Sequence, residues 1–206
     1  MRLALVSADD GPCRPLAERL SQSADLEILC VSGTGAGRWL DPGTWHPGGI
    51  TTIRFRADYP AVPELERRLA DVVRAGEAAA PLEQRWLEER GPYSSALLRA
   101  LDERRMAHDV FVFFGLESAV TVMGLPRVDG PTVLVPAISD WSLAGSRVLR
   151  ETLAAAGGIV FATEEERRRL LPLVGPERPV ALAVGSSPEP YLEVVRRVRA
   201  VVGDRG

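Results

Sequence analysis

The 206-residue sequence predicts a single doubly wound, parallel α/β sheet of Rossmann-like type, with helices on both faces. Three observations carry that prediction. Short, continuously apolar runs recur along the chain, among them Leu3-Ala-Leu-Val6, Val110–Phe114 and Val133–Val135; strands buried on both faces read this way. Amphipathic helical segments separate the runs, and that alternation places parallel strands in one sheet with the helices packed outside it. The runs also end in glycine, serine or acidic residues, as strands that open into ligand-facing loops do.

The elements follow in order. Leu3–Val6 is a buried strand feeding the loop Ser7-Ala-Asp-Asp-Gly11. Residues 14–22 carry Leu16 and Leu20 one helical turn apart and predict a short helix. Leu26–Val31 is the second strand. The Gly-, Pro- and Trp-rich stretch from Gly33 to Gly49 has no periodicity and is expected to be loop. Ile50–Phe55 alternates and is β-rich, so it predicts a strand nearer the sheet edge. Leu65, Leu69, Val72 and Val73 form one helical stripe. A second helix around Leu82, Trp86 and Leu87 stops at Gly91-Pro92, because glycine and proline both end helices. A third begins at Ser94 or Ser95, either of which can cap it, and buries Leu97, Leu98 and Leu101. Strands are then expected at Val110–Phe114, Thr132–Val135, Ile159–Phe161 and Val180–Val184. Helices are expected after Glu117, through Leu149 and Leu153, and from Glu164. An amphipathic helix through Tyr191, Val194, Val195, Val198 and Val202 ends the chain. About seven strands fit one domain over residues 1–206. Leu5, Ile28, Ile53, Phe113, Leu134, Val160 and Leu182 are expected in the central layer.

Composition narrows the function classes. A net charge of −3 gives no electrostatic reason to expect nucleic acid or an anionic membrane. All 25 basic residues are arginine, which excludes a Schiff-base lysine and a P-loop lysine. No apolar run approaches the roughly 18 residues a membrane span needs, and no leader pattern opens the chain, so a cytoplasmic protein without a membrane span is expected. Cys13 and Cys30 are too few and too far apart for a disulfide framework or a metal site, and they read as small apolar fillers.

Candidate ligand contacts lie at the strand carboxyl ends: Asp10 and Gly11, Gly115 and Glu117, Ser139 and Asp140, Thr163 and Glu164, with Gly185-Ser-Ser187 after the last strand. Polar residues gather there for capping as well, and Thr163-Glu-Glu-Glu166 has the spacing of a capping box. Other chemistries fail on context. Gly33-Thr-Gly-Ala-Gly37 lacks the third glycine of a dinucleotide fingerprint, since Arg38 stands there, and Pro42-Gly43 forbids the following helix. No Gly-x-Ser-x-Gly elbow occurs. Adjacent Asp9 and Asp10 without further ligands make no metal site. His108 is placed at a helix end, where the dipole favours it; His46 lies in a loop. No cofactor, metal or catalytic residue is assigned.

One combination is more specific. The run Asp109-Val-Phe-Val-Phe-Phe-Gly115, together with Gly91-Pro-Tyr-Ser-Ser-Ala-Leu-Leu98, Val133-Leu-Val-Pro136 and Ile159-Val-Phe-Ala-Thr-Glu-Glu-Glu166, resembles the acceptor-side half of a GT-B glycosyltransferase of the family-4 type. Phe55-Arg-Ala-Asp-Tyr-Pro60 is similar to the segment that follows the third strand in bacterial members, and Pro81-Leu-Glu-Gln-Arg-Trp86 to the helical insert that leads into their Gly-Pro-Tyr-Ser-type turn. The resemblance covers residues 50 to 170 well and the remainder loosely. The departures are specific too. The first loop is short, with only Gly11; Ser139-Asp140 stands where the family often has histidine before aspartate; and Gly115-Leu-Glu-Ser-Ala-Val120 is smaller and more acidic than the family's helix start.

The resemblance implies an acceptor cleft at these strand ends, for a small molecule or glycan. It also implies a nucleotide-sugar site on a second domain, for which no sequence follows Gly185-Ser-Ser-Pro188 beyond one helix. Two readings follow. In the first, the chain is an acceptor-binding half that works with a donor-binding glycosyltransferase domain or forms a homo-oligomer, and is inactive alone. In the second, it is a non-catalytic binding module that retains the fold. A small enzyme using Asp10 and Asp140 is a third class. Leu116, Ile138, Trp141 and Leu143 are expected near the cleft rim.

Overall fold

The computed structural model describes residues 1–32, 40–58, 62–76, 78–183 and 187–203. The glycine-rich Gly33–Gly37 segment, the end of the Phe55–Pro60 stretch, and Gly185 and Ser186 lie outside the described residues. In chain order the elements are β1 (Arg2–Ser7), α1 (Arg14–Leu20), β2 (Asp25–Val31), β3 (Gly43–Trp45), β4 (Thr51–Phe55), α2 (Pro63–Arg74), α3 (Ala80–Arg90), α4 (Ser95–Arg104), β5 (Val110–Phe114), α5 (Ala119–Gly124), β6 (Thr132–Val135), α6 (Arg147–Ala155), β7 (Gly158–Phe161), α7 (Glu164–Leu170), β8 (Val180–Leu182) and α8 (Glu189–Gly203). The strands form one sheet in the order β3-β4-β2-β1-β5-β6-β7-β8. All pairs are parallel except β3 with β4. The doubly wound parallel sheet expected from the sequence is therefore present, with one antiparallel strand added at its edge.

The two apolar faces of each strand explain the layering. Ala4, Val6, Leu29, Phe111, Phe113, Leu134 and Phe161 point to one face, where α2 to α7 cover them through residues such as Val73, Trp86, Leu98, Val120, Leu149 and Leu170. Leu3, Leu5, Ile28, Cys30, Val112, Val133 and Val160 point to the other, covered by α1 and α8. Burial on both sides is why the runs lack alternation. Helix α8 packs closest where β7 begins: a Cβ on Gly158 would stand 2.6 Å from methyls of both Val194 and Val198. Only glycine admits the helix at that distance.

Chain reversal also follows the sequence. Ser94, fully buried, accepts from the Leu97 N–H at 3.2 Å and donates to the Arg56 carbonyl at 2.7 Å, so one hydroxyl caps α4 and ties it to the end of β4. Helix α3 ends at Arg90, immediately before Gly91 and Pro92 as expected, and the peptide bond between them is cis.

Four expectations are corrected. The Gly33–Gly49 stretch, expected to be loop, contains β3, while β4 lies near the sheet edge as expected, second from it. Ile53 and Leu182 are only half-buried, because β4 and β8 lie toward the sheet margins; the other five residues of the expected central layer are fully buried. Leu116 and Leu143 belong to the core, at 0% exposure, and line no rim. Trp141 is half-buried against the core, with the Arg169 guanidinium 4.7 Å over its ring. Among the described residues no helix is long and apolar enough to cross a membrane.

Candidate functional site

Strand order reverses at β1, whose neighbours are β2 on one side and β5 on the other. The loop after β1 leads into α1 on one face and the loop after β5 leads into α5 on the opposite face. Such a divergence opens a crevice at the carboxyl ends of the strands, the place where open α/β sheets bind ligands. Two polar clusters flank it.

The first is built on Asp10. Its Oδ2 accepts from Arg14 Nη2 at 2.6 Å and from Arg54 Nη2 at 3.2 Å, and Arg14 Nη2 also donates to Thr52 Oγ1 at 3.0 Å. Burial alone would raise the Asp10 pKa, but the hydrogen bonds and charges of Arg14 and Arg54 outweigh it and hold the carboxyl below its ordinary value. Asp9 Oδ1 accepts from the Gly11 N–H at 2.9 Å and shapes the turn that Gly11 completes. Arg54 lies 5.7 Å over the ring of Trp45, which is 43% exposed. Cys13 and Cys30 sit fully buried beneath. Burial pushes both thiols up, Cys30 to about 12, which leaves them inert fillers as expected.

The second cluster is built on Glu117, only 6% exposed. The turn that brings it in needs glycine at 115, where φ is +86°. Glu117 Oε1 accepts from the Asp140 N–H at 2.9 Å; Oε2 accepts from Ser139 Oγ at 2.6 Å and from Arg90 Nη2 at 2.5 Å. Arg90 also reaches Ser139 Oγ at 2.8 Å and Glu66 at 3.0 Å, and Trp86 Nε1 donates to the same Glu66 oxygen at 3.2 Å. The Asp140 side chain turns outward: Oδ1 accepts from the Ser142 hydroxyl and N–H, and Oδ2 accepts from Arg74 Nη2 at 2.9 Å. These bonds, the Ser142 hydroxyl first and Arg74 next, hold the Asp140 pKa near about 2.

The structure thus joins Glu117, Ser139 and Asp140 in one network, with Gly115 as its hinge. It sets Asp10 and Gly11 in a separate one on the far side of β1. Thr163 and Glu164 join neither. Thr163 Oγ1 caps α7 by accepting from the Glu166 N–H at 3.1 Å, and Glu166 returns to the Ala162 N–H at 2.8 Å. Glu164 pairs with Arg167 on the exposed helix surface. Capping accounts for Thr163, as the spacing suggested, and a surface ion pair accounts for Glu164. His108 lies away from this rim, at the opposite end of the sheet. Its Nε2 stands 3.0 Å from Glu27, which also takes Arg104 at 2.7 Å. Described cavities lie elsewhere as well: one of about 400 Å³ opens between α3, α4, α5 and α6 over Leu87, Tyr93, Leu98, Val122, Met123 and Val148.

The sequence reading missed the arginines Arg14, Arg54, Arg74 and Arg90 that organise Asp10, Glu117 and Asp140 at the rim. Arg54 carried the one available signal, a charge inside an otherwise β-rich strand.

Asp140 yields a pH dependence. Its folded pKa, about 2, is depressed below the ordinary 3.8. A depressed carboxylate contributes stability that is fully present above the unfolded pKa and is lost as pH falls through the folded one. Between pH about 4 and about 2, wild type is expected to lose stability that Asp140→Asn does not lose, in urea melts at stepped pH. Parallel curves for the two proteins would show that the Arg74–Asp140 pair is not formed in solution.

No family model matches the chain, and no curated protein matches it. Among solved structures, a sucrose-phosphate synthase from Thermosynechococcus elongatus is similar with a TM-score of 0.60, over 98% of this chain and 99% of that one, at 14% identity. A likeness at that identity is a likeness of fold: this chain shares a Rossmann-type α/β architecture with that structure.

Proposed function

We propose that the chain, as one domain over residues 1–206, is the acceptor-binding half of a GT-B glycosyltransferase of the family-4 type. It works with a separate donor-binding domain or partner and sits in the cytoplasm. The observation that carries this reading is the Glu117 network. A carboxylate withdrawn from water at the carboxyl end of a central strand is expensive unless it organises something. Here it fixes Ser139 and the start of the 139–142 loop at the crevice edge, with Ser139 exposed. The fold likeness to a sucrose-phosphate synthase supports sugar-related binding.

Catalysis by these residues alone is a poor fit. Asp140, held near a pKa of about 2, is a weak general base at neutral pH. Glu117 spends both oxygens inside the protein. That same observation favours the second reading, a non-catalytic binding module on a retained fold. Neither cluster is arranged to stabilise a departing diphosphate, which needs cations not already committed to carboxylates.

Isothermal titration with a panel of nucleoside-diphosphate sugars tests the first reading. Dissociation constants no tighter than about 1 mM are expected, where binding is worth about 4 kcal/mol. A micromolar constant for any of them would overturn the half-domain and restore an autonomous enzyme.

A further inference from the structure

The crevice rim is rich in arginine, yet nearly all of that charge is committed. Arg14 and Arg54 converge on Asp10, Arg90 bridges Glu117 and Glu66, and Arg74 bridges Asp140 and Asp71. Arg56, exposed just past β4, forms no ion pair among the described residues, but Asp9 and Asp58 are carboxylates without an ion pair there too. The described carboxylates therefore at least match the guanidiniums. A phosphate dianion brought to such a rim must either break an existing pair or meet a balanced field, and both cost free energy. A hydroxyl meets no such obstacle. It can donate to a carboxylate oxygen or accept from a guanidinium N–H without disturbing the pair, and each such bond is charge-assisted.

A second observation points the same way. Trp45 is 43% exposed although it is, among the described residues, the largest apolar side chain beside the Asp10 cluster, and Arg54 stands over its ring. Exposed indole presents a flat apolar surface with a polar rim next to it. The C–H face of a sugar or cyclic polyol fits that surface, and its hydroxyls fit the rim.

We infer that the acceptor taken by this crevice is an uncharged sugar or polyol rather than a phosphate-bearing one, with Trp45 as its apolar wall. The inference rests on the acceptor-binding reading above and adds the charge class of the ligand. It also runs opposite to what the fold neighbour's name, a synthase of a sugar phosphate, would suggest for this chain.

Saturation-transfer NMR with three matched pairs tests it: glucose, fructose and myo-inositol, each against its monophosphate. Inorganic phosphate is followed in parallel by ³¹P line broadening. For wild type, a neutral member is expected to bind about tenfold tighter than its phosphate, and phosphate alone is expected not to broaden. Trp45→Ala should weaken the neutral ligand by about tenfold. Asp10→Asn, which uncovers Arg14 and Arg54, should gain phosphate broadening. Asp9→Asn, which removes a charge without breaking an ion pair, should show a smaller gain and guards against a misfolded first variant. Wild type that prefers the phosphate member, or broadens inorganic phosphate, would overturn the inference and leave the acceptor reading standing. Binding of no member of any pair would overturn both. Neutral binding unaffected by Trp45→Ala would remove the proposed wall and the inference with it.

Discussion

Phe113→Ala is expected to cost about 3–5 kcal/mol of folding stability, the usual range for emptying a buried aromatic site. Phe113 is fully buried at the middle of the sheet, in register with Val6 on β1 and Leu134 on β6. Its ring is held on the helical side as well. A Cβ on Gly124 would stand 3.2 Å from Phe113 Cε1 and 2.7 Å from Leu101 Cδ1, so α5 already approaches as closely as a glycine permits. Walls that tight, drawn from a sheet and two helices, do not collapse into the vacated volume, and the cavity term adds to the lost transfer energy. Urea denaturation of the two proteins measures the difference. A loss under about 1 kcal/mol would mean that β5 is not a central strand and that its register is wrong.

The central place of Phe113 is legible in the sequence because central parallel strands are apolar on both faces. Val110–Phe114, Val133–Val135 and Leu3–Val6 are apolar at every position, since both faces are covered. Strand β3 gave no such signal. Gly43, Thr44 and Trp45 are all exposed, belong to a glycine- and proline-rich stretch, and become a strand only through pairing with β4. Edge strands held by backbone bonds alone leave little trace in hydrophobic patterning.

The candidate site divided along a similar line. Asp10, Glu117, Ser139 and Asp140 could be singled out because strand ends are legible and ligands gather there. Their partners could not. Arg54 is 44 residues from Asp10, Arg90 is 27 from Glu117, and Arg74 is 66 from Asp140; all three come from elements whose packing no local pattern specifies. Thr163 and Glu164 looked equivalent to the others in sequence because a helix cap and a ligand contact favour the same residue types. Leu116 and Leu143 looked like rim residues because they follow strand-end loops. Both are core, and the apolar patch that would have asked for a partner does not form among the described residues.

The network at Glu117 should therefore behave as structure first and recognition second, and two substitutions at that position separate the roles. Glu117→Ala removes the acceptor of Ser139 Oγ, of the Asp140 N–H and of one side of Arg90. Breaking a buried pair by deleting one partner typically costs about 3–5 kcal/mol. Arg90 retains Glu66 and its side chain is 22% exposed, so its charge is not left bare. The expected loss is accordingly about 2–3 kcal/mol, mostly from the unpaired N–H and hydroxyl. Glu117→Gln keeps an oxygen for the Asp140 N–H and should lose less, about 1–2 kcal/mol. If the loop it holds also carries the ligand contact, both variants should weaken binding of a neutral sugar by more than their stability loss explains at temperatures where each remains folded, and alanine should weaken it more. Thermal melts and ligand-observed NMR on the same samples measure the two effects. A loss under about 0.5 kcal/mol for alanine would mean that the carboxylate is hydrated and the network absent in solution. A full stability loss with sugar binding intact would confine Glu117 to the fold and move recognition to the Asp10 side of the crevice.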